Sequence, residues 1–253
     1  MPFTPSHVAA VVPMFRVRWL DPWALALGAM VLDLPIFLPF LPDYMLWHSA
    51  AWVVTINPLV VCVLIAAFAG IFRLPLVALL PAGLVGRAAS LRPSPRIVPL
   101  LAGAMAGSAT HVFWDSFTHS YSSQVWGWTW LDHEVLGVIP VFRLLQYLSS
   151  VAGLAFVAWW AWRGLSRMAD VAAPEELLLR DQVRRAVLWA SVAGAAAGAA
   201  CWPLLNPPGP SLAALVTRLG AGTVVGLCVV LTVYAAIWQF RRLRRLMAGF
   251  DGA

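Results

Sequence analysis

Five stretches of this chain are apolar over about the length that a bilayer crossing requires: residues 49–72, 97–117, 135–162, 186–205 and 219–240. No other feature of the sequence narrows the fold as much. A helix satisfies its own backbone, so it is the element that such runs form in hydrocarbon. Hydrophobic residues make up 61% of the chain and charged residues 11%, a balance unlike that of a soluble domain of 253 residues. The expected fold is all-α: a polytopic transmembrane helical bundle with five spans, or six if residues 22–42 also cross, plus short interfacial helices. The expected organisation is one membrane domain, 1–253. Residues 1–162 would bear the site, and residues 163–253 would supply a cytoplasmic loop and two scaffold spans.

The regions between and before these runs are less regular. Residues 22–42 are apolar but contain Asp33, Pro35, Pro39 and Pro42. Proline removes a donor and disrupts a helix, so this is a broken or short crossing of the kind that lines a cavity. The 13 residues between Arg73 and Arg87 would cover only about 20 Å as a helix, which suits the interface rather than a crossing. Near the start, Thr4 or Ser6 can cap a short helix carrying His7. Pro2, Pro5 and Pro13, with no basic stretch before the apolar residues, do not match a signal peptide. Trp126, Trp128 and Trp130 fit an interfacial belt.

The formal net charge is +6, and every basic residue is Arg. The arginines collect in 73–96, in 163–185 and at the C terminus, whereas 118–134 and 206–211 contain none. The positive-inside rule then places the arginine-rich loops and the C terminus in the cytoplasm. His48, His111, Asp115, His119, Asp132 and His133 would lie toward the outer face. Arg16 and Arg18 argue for a cytoplasmic N terminus. Either His7 stands apart from the other histidines, or residues 1–42 fold as short helices on the outer side. Nucleic acid is excluded as a partner, because no arginine-rich face is interleaved with aromatics. Cys62, Cys201 and Cys228 lack metal-type spacing.

The run Gly107–Ser120 carries the strongest chemical signal. In a helix, His111, Asp115 and His119 stand at i, i+4 and i+8 on one face. Such groups are costly in hydrocarbon unless they pair, bind something or reach water. Two imidazoles and a carboxylate suit a divalent metal, zinc first. The competing reading is a hydrogen-bonded pair inside the bundle. All five histidines fall within the first 134 residues, together with Asp33, Asp43, Asp115, Asp132 and Glu134. Asp33 is a ligand or the partner of Arg143. His48 is a ligand or a helix cap, and His7 is a ligand or a surface residue. Asp132, His133 and Glu134 lie in a wet loop and read as solvated. Arg143 offers two parallel donors to a phosphate or carboxylate, or it snorkels.

The start Pro2-Phe3-Thr4-Pro5-Ser6-His7, the segment Gly28…Asp33-Leu34-Pro35 and the run His111-x-x-Trp114-Asp115-Ser116-Phe117-Thr118-His119 resemble the domain-of-unknown-function 4184 family of bacterial membrane proteins. More distantly, the layout is similar to membrane-bound metal-dependent hydrolases and to zinc phospholipase C and P1-type nucleases. The resemblance implies His7, Asp33, His48, His111, Asp115 and His119 as metal ligands. The pattern departs from those hydrolases in places. No Pro precedes Asp33, Ser49-Ala50 follow His48, and Gly137 stands four residues after His133 where a His-x-x-x-Glu pair would need Glu.

The expected function is therefore a metal-dependent hydrolase at the outer face of the bundle. Asp115 and Asp33 would be catalytic, Arg143 would bind substrate, and the substrate would be a phosphoester or a lipid head group. The alternative is a non-catalytic transporter or scaffold whose His/Asp cluster is structural. The broken 22–42 segment and Arg143 favour that alternative, and the lack of an inverted repeat opposes transport.

Overall fold

The computed structural model describes residues 3–250. Seven helices carry the fold: α1 (Pro22–Val31), α2 (Ile56–Ala78), α3 (Ala82–Ser90), α4 (Ile97–Thr118), α5 (Val141–Arg167), α6 (Asp181–Leu205) and α7 (Leu212–Phe250). The protein is all-α, and α2, α4, α5, α6 and α7 are long and apolar enough to cross a membrane. The segment 22–42 contributes no crossing of that length. α1 has ten residues, and a single further turn, Leu34–Phe37, follows Asp33.

Two compact units form. The first comprises residues up to Ala66 with Pro93–Arg167; the second comprises Ala67–Arg92 with the chain from Met168 onward. The boundaries thus differ from a cut at 162, because residues 67–92 join the last two spans. Local chemistry explains that association. Pro75 has no N–H to give to the carbonyl of Ile71, four residues earlier. Gln239 of α7 supplies the missing donor, with Nε2 donating to the Ile71 carbonyl at 2.8 Å and to that of Gly70 at 3.0 Å. The Tyr234 hydroxyl donates to the Pro75 carbonyl at 3.2 Å. α2 widens into a π turn over Phe68–Phe72 at this point and continues through Arg73 to Ala78, where a separate interfacial piece was expected. Arg73 is buried, and its guanidinium donates to the carbonyls of Ala89 and Leu91 at the end of α3.

Within the first unit, α1 packs directly on α4. The Asp21 carboxylate accepts from Ala24 N at 2.9 Å and so caps α1; its other oxygen accepts from Ser94 N at 3.1 Å. Small residues line the contact. A Cβ on Gly28 would collide with the backbone of Ala104, and one on Gly107 would collide with the Leu25 carbonyl. A backbone can approach this closely only where the residue it meets has no Cβ, here Gly28 and Gly107. Leu25, Leu32, Ala24, Ala29 and Ala104 fill the surrounding core. The N-terminal residues Thr4–Arg16 form consecutive short helical turns, which pack on α1 and α5.

The link from α4 to α5 corrects one boundary. Residues 134–140 form a minimal antiparallel hairpin, β1 (Glu134–Val135) with β2 (Ile139–Pro140), and the span begins at Val141 rather than 135. Leu136 and Gly137 both have positive φ within the three-residue connection 136–138, and Val138 N donates to the Val135 carbonyl across them at 3.2 Å.

Candidate metal centre

The close contact of α1 with α4 determines what His111 meets. With Gly107 against Leu25 and Gly28, the next turn of α4 brings the His111 ring under the end of α1. His111 Nδ1 lies 2.8 Å from the Ala29 carbonyl. A carbonyl can only accept, so Nδ1 carries the hydrogen and Nε2 presents a lone pair. Asp115 is one turn further along α4, and its Oδ2 is 3.2 Å from that nitrogen. Asp33, two residues past the end of α1, places Oδ1 at 3.5 Å. All three side chains are completely buried.

His48 arrives from a different segment. It ends the turn Tyr44–Trp47, which Asp43 caps by accepting from Met45 N at 2.8 Å. His48 Nδ1 donates to the Tyr44 carbonyl at 2.8 Å, which leaves its Nε2 as the free lone pair. The residue therefore both closes a helical turn and enters the cluster, joining the two roles proposed for it. His48 Nε2 is 3.3 Å from His111 Nε2 and 3.6 Å from Asp115 Oδ2. Two imidazole Nε2 atoms that face each other across 3.3 Å need positive charge between them, either a proton on one ring or a bound cation. Ligands 2.0–2.2 Å from a tetrahedral zinc ion stand about 3.3–3.6 Å apart. The triangle of 3.2, 3.3 and 3.6 Å fits one face of that tetrahedron.

His7 comes from the first short helical turn. Its ring stacks on that of His111 at 3.9 Å, and its Nε2 is 3.6 Å from Asp115 Oδ1. Of the two arrangements open for the N terminus, the structure adopts the one in which short helices bring His7 to the other histidines. His7, Asp33 and His111 make a second set able to hold an ion, beside His48, His111 and Asp115. Neither Thr4 nor Ser6 caps the turn through its side chain. The Thr4 hydroxyl instead donates to Asp33 Oδ2 at 2.7 Å.

His119 departs from the helical column. α4 ends at Thr118, and His119 has extended backbone (φ −123°, ψ 150°). Its ring folds back so that Nδ1 donates to the Asp115 carbonyl at 3.0 Å, within 3.6 Å of Asp115 Oδ1. Burial pulls the His119 imidazole down to about 4. Burial first, and His111 second, hold His7 well below its ordinary value. Both rings are thus neutral near pH 7, the form that binds metal. Burial also pushes the Asp33 carboxyl and the Tyr44 phenol upward. Tyr44 remains a donor, 3.4 Å from Asp115 Oδ2.

Four buried polar atoms of these residues have no hydrogen-bond partner: Nδ1 and Nε2 of His7, Oδ1 of Asp33 and Nε2 of His119. Such groups are expensive to bury unsatisfied, and a cation with its bound water would satisfy them. The structure thus gathers His7, Asp33, His48, His111, Asp115 and His119. Arg143 stays outside; its guanidinium donates to Gln146 Oε1 at 2.8 Å, and no hydrogen bond or ion pair joins it to Asp33 among the described residues. Asp132, His133 and Glu134 are exposed. Thr4 was read from the sequence only as a possible helix cap, and Tyr44 was not singled out. Tyr44 had one available signal, its position four residues before His48, and Thr4 had none that distinguished it from a helix cap.

No curated protein and no solved structure matches the chain. A family model described as a domain of unknown function, DUF4184, matches residues 1–237 of the 253, which takes in the whole cluster, the first unit and the second as far as residue 237, and the chain belongs to that family.

Proposed function

We propose that this protein is a metal-dependent hydrolase whose ion, zinc first, is held by His48, His111 and Asp115. One observation carries the reading: the triangle of ligand atoms formed by His48 Nε2, His111 Nε2 and Asp115 Oδ2, in which both imidazoles have their lone pairs fixed inward by backbone carbonyls. Backbone carbonyls in that role are the usual outer support of histidine ligands. His111 has a single lone pair, so the two candidate sets share one ion rather than holding two. Three protein ligands leave a fourth position for water, the pattern of catalytic rather than structural zinc. A bound ion of this kind lowers the pKa of that water toward neutrality.

The chain's own residues supply the remaining needs of hydrolysis. In phosphoester cleavage the water oxygen bonds to phosphorus, the bond to the alcohol oxygen breaks, and a proton passes from the water to the departing oxygen. Asp33 is placed to hold that proton. Its Oδ1 lacks a hydrogen-bond partner, and Thr4 fixes its Oδ2. His7 and His119 flank Asp115 Oδ1, each with a ring nitrogen 3.6 Å away. A purely structural cluster is the poorer reading, because it leaves the His7, Asp33 and His119 atoms unsatisfied. The arginine distribution supports an inner-membrane protein with a cytoplasmic C terminus and the cluster toward the outer face.

Elemental analysis of purified protein should find one divalent ion per chain, and His111→Ala combined with Asp115→Ala should remove it. Asp33→Asn should keep the ion and lower turnover of phosphoesters about 10²- to 10⁴-fold. Wild-type protein without stoichiometric metal would overturn the reading.

A further inference from the structure

A groove of about 570 Å³ in the first unit runs beside the cluster. One wall is Ala9, Ala10 and Pro13; the other is Leu148, Ala152 and Phe156 of α5. Ser6 and His7 are its most buried lining residues, at 5% and 2% exposure. The volume is that of a small-molecule site. The walls are apolar, and the side open to the outside belongs to a helix of spanning length, whose Leu148 is 58% exposed. Such a face looks into acyl chains rather than water. His7 is shared. Its ring lines the groove, stacks on His111 and reaches within 3.6 Å of Asp115, and neither of its nitrogens has a hydrogen-bond partner. An apolar channel that ends on unsatisfied polar atoms has the complementarity of an amphiphile.

We propose that this groove is the lateral route by which substrate reaches the ion, and that the substrate is a phosphate-bearing lipid. One acyl chain lies between the N-terminal turns and α5, and the head group reaches the cluster past His7. This rests on the ion-site reading above. The groove accounts for the N-terminal turns being packed on α5, where Gly153 lets the Ser6 backbone approach closely. A soluble phosphoester would need no such path.

The test uses the full chain in nanodiscs of phosphatidylethanolamine and phosphatidylglycerol, with zinc present. The probe is a trace of phosphatidic acid carrying a diazirine midway along one acyl chain. After photolysis, labelled positions are mapped by mass spectrometry. Labelling of the groove residues Ala9, Ala10, Pro13, Leu148, Ala152 and Phe156 should exceed that of Val151 and Trp159, both exposed on α5, several-fold. Ala152→Trp and, from the opposite wall, Ala10→Trp should each cut groove labelling at least fivefold while metal content stays stoichiometric. A diacylglycerol carrying the same diazirine chain should label the groove several-fold less. Even labelling of groove and exposed face would mean bulk lipid only and would overturn the proposal. Equal labelling by the two probes would overturn the head-group contact. Metal-free wild-type protein with preferential groove labelling would overturn the ion reading while leaving the groove as a lipid site, so the two failures can be told apart.

Discussion

Two helix pairs in this protein are built on the same device and filled differently. α1 meets α4 through Gly28, Gly103 and Gly107, and α6 meets α7 through Gly194, Gly198, Gly222 and Gly226. In each pair a Cβ added at the contact would strike the facing backbone. Without a hydrophobic drive between helices in lipid, such close van der Waals contact is what holds spans together. Beyond the contact the pairs diverge. Just past Gly107, α4 buries Ser108, His111 and Asp115. α6 buries one polar residue, Ser191, and its hydroxyl turns back to the Val187 carbonyl at 2.8 Å. The second pair shows that this packing needs no ionisable residue. The histidines and carboxylates of the first pair are therefore not there to hold two helices together, and another requirement has to account for them.

The comparison breaks most visibly under equal steric insults. Gly107→Leu should drive α4 from α1, carry the Ala29 carbonyl away from His111 and lower metal content at least tenfold. Gly226→Leu should destabilise the α6–α7 pair, seen as a lower melting temperature in detergent, yet leave metal content stoichiometric. Elemental analysis and thermal melting on both variants decide it. Loss of metal in Gly226→Leu would show that the units do not fold separately enough for the contrast to hold.

The contrast also explains what could be read from the sequence. Span-length apolar runs report hydropathy directly, and α4, α6 and α7 lie where those runs stand. The pairing of His111 with Asp115 follows from helical period alone. His119 does not, because the period holds only while the helix lasts and α4 ends one residue earlier. His7, Asp33 and His48 were legible as residue types out of place in an apolar setting. Their meeting was not legible, since it depends on glycine contacts between segments about 80 residues apart in the chain. Arg143 stands outside the cluster for a related reason: its guanidinium donates to Gln146, three residues along the same helix, a local pairing that hydropathy does not reveal. The 67–92 segment joins the second unit through Pro75 and Gln239, a complementarity that is visible only once the two are known to touch.

A gentler change sharpens the same comparison. Tyr44→Phe removes the hydroxyl that reaches Asp115 Oδ2 while leaving the Tyr44 carbonyl to orient His48. Loss of an outer-shell partner costs about 10- to 100-fold in metal affinity. At 3.4 Å this hydrogen bond is long, so the effect should fall at the lower end, about tenfold, in a competition titration against a zinc chelator. An unchanged affinity would show that the cluster's outer contacts are incidental and would return it toward the inert character of the α6–α7 pair.

The smallest effect is expected where polar residues are most numerous. Asp132, His133 and Glu134 share the first half of the chain with the cluster, and by residue type alone they are as plausible as His7 or His48. Their surroundings differ. All three are exposed, and their backbone bonds to the adjoining turn and hairpin: His133 N donates to the Trp130 carbonyl at 3.3 Å, and Val141 N donates to the His133 carbonyl at 3.0 Å. Water already solvates them, so no cation is needed to offset their burial. Asp132→Ala with His133→Ala should therefore leave metal stoichiometry unchanged and move chelator-competed zinc affinity by less than about twofold, within the range of ordinary surface substitutions. A tenfold loss in that double variant would mean that the loop closes over the ion when it is bound. The site would then draw on solvated residues as well as buried ones, and burial would no longer separate ligands from bystanders.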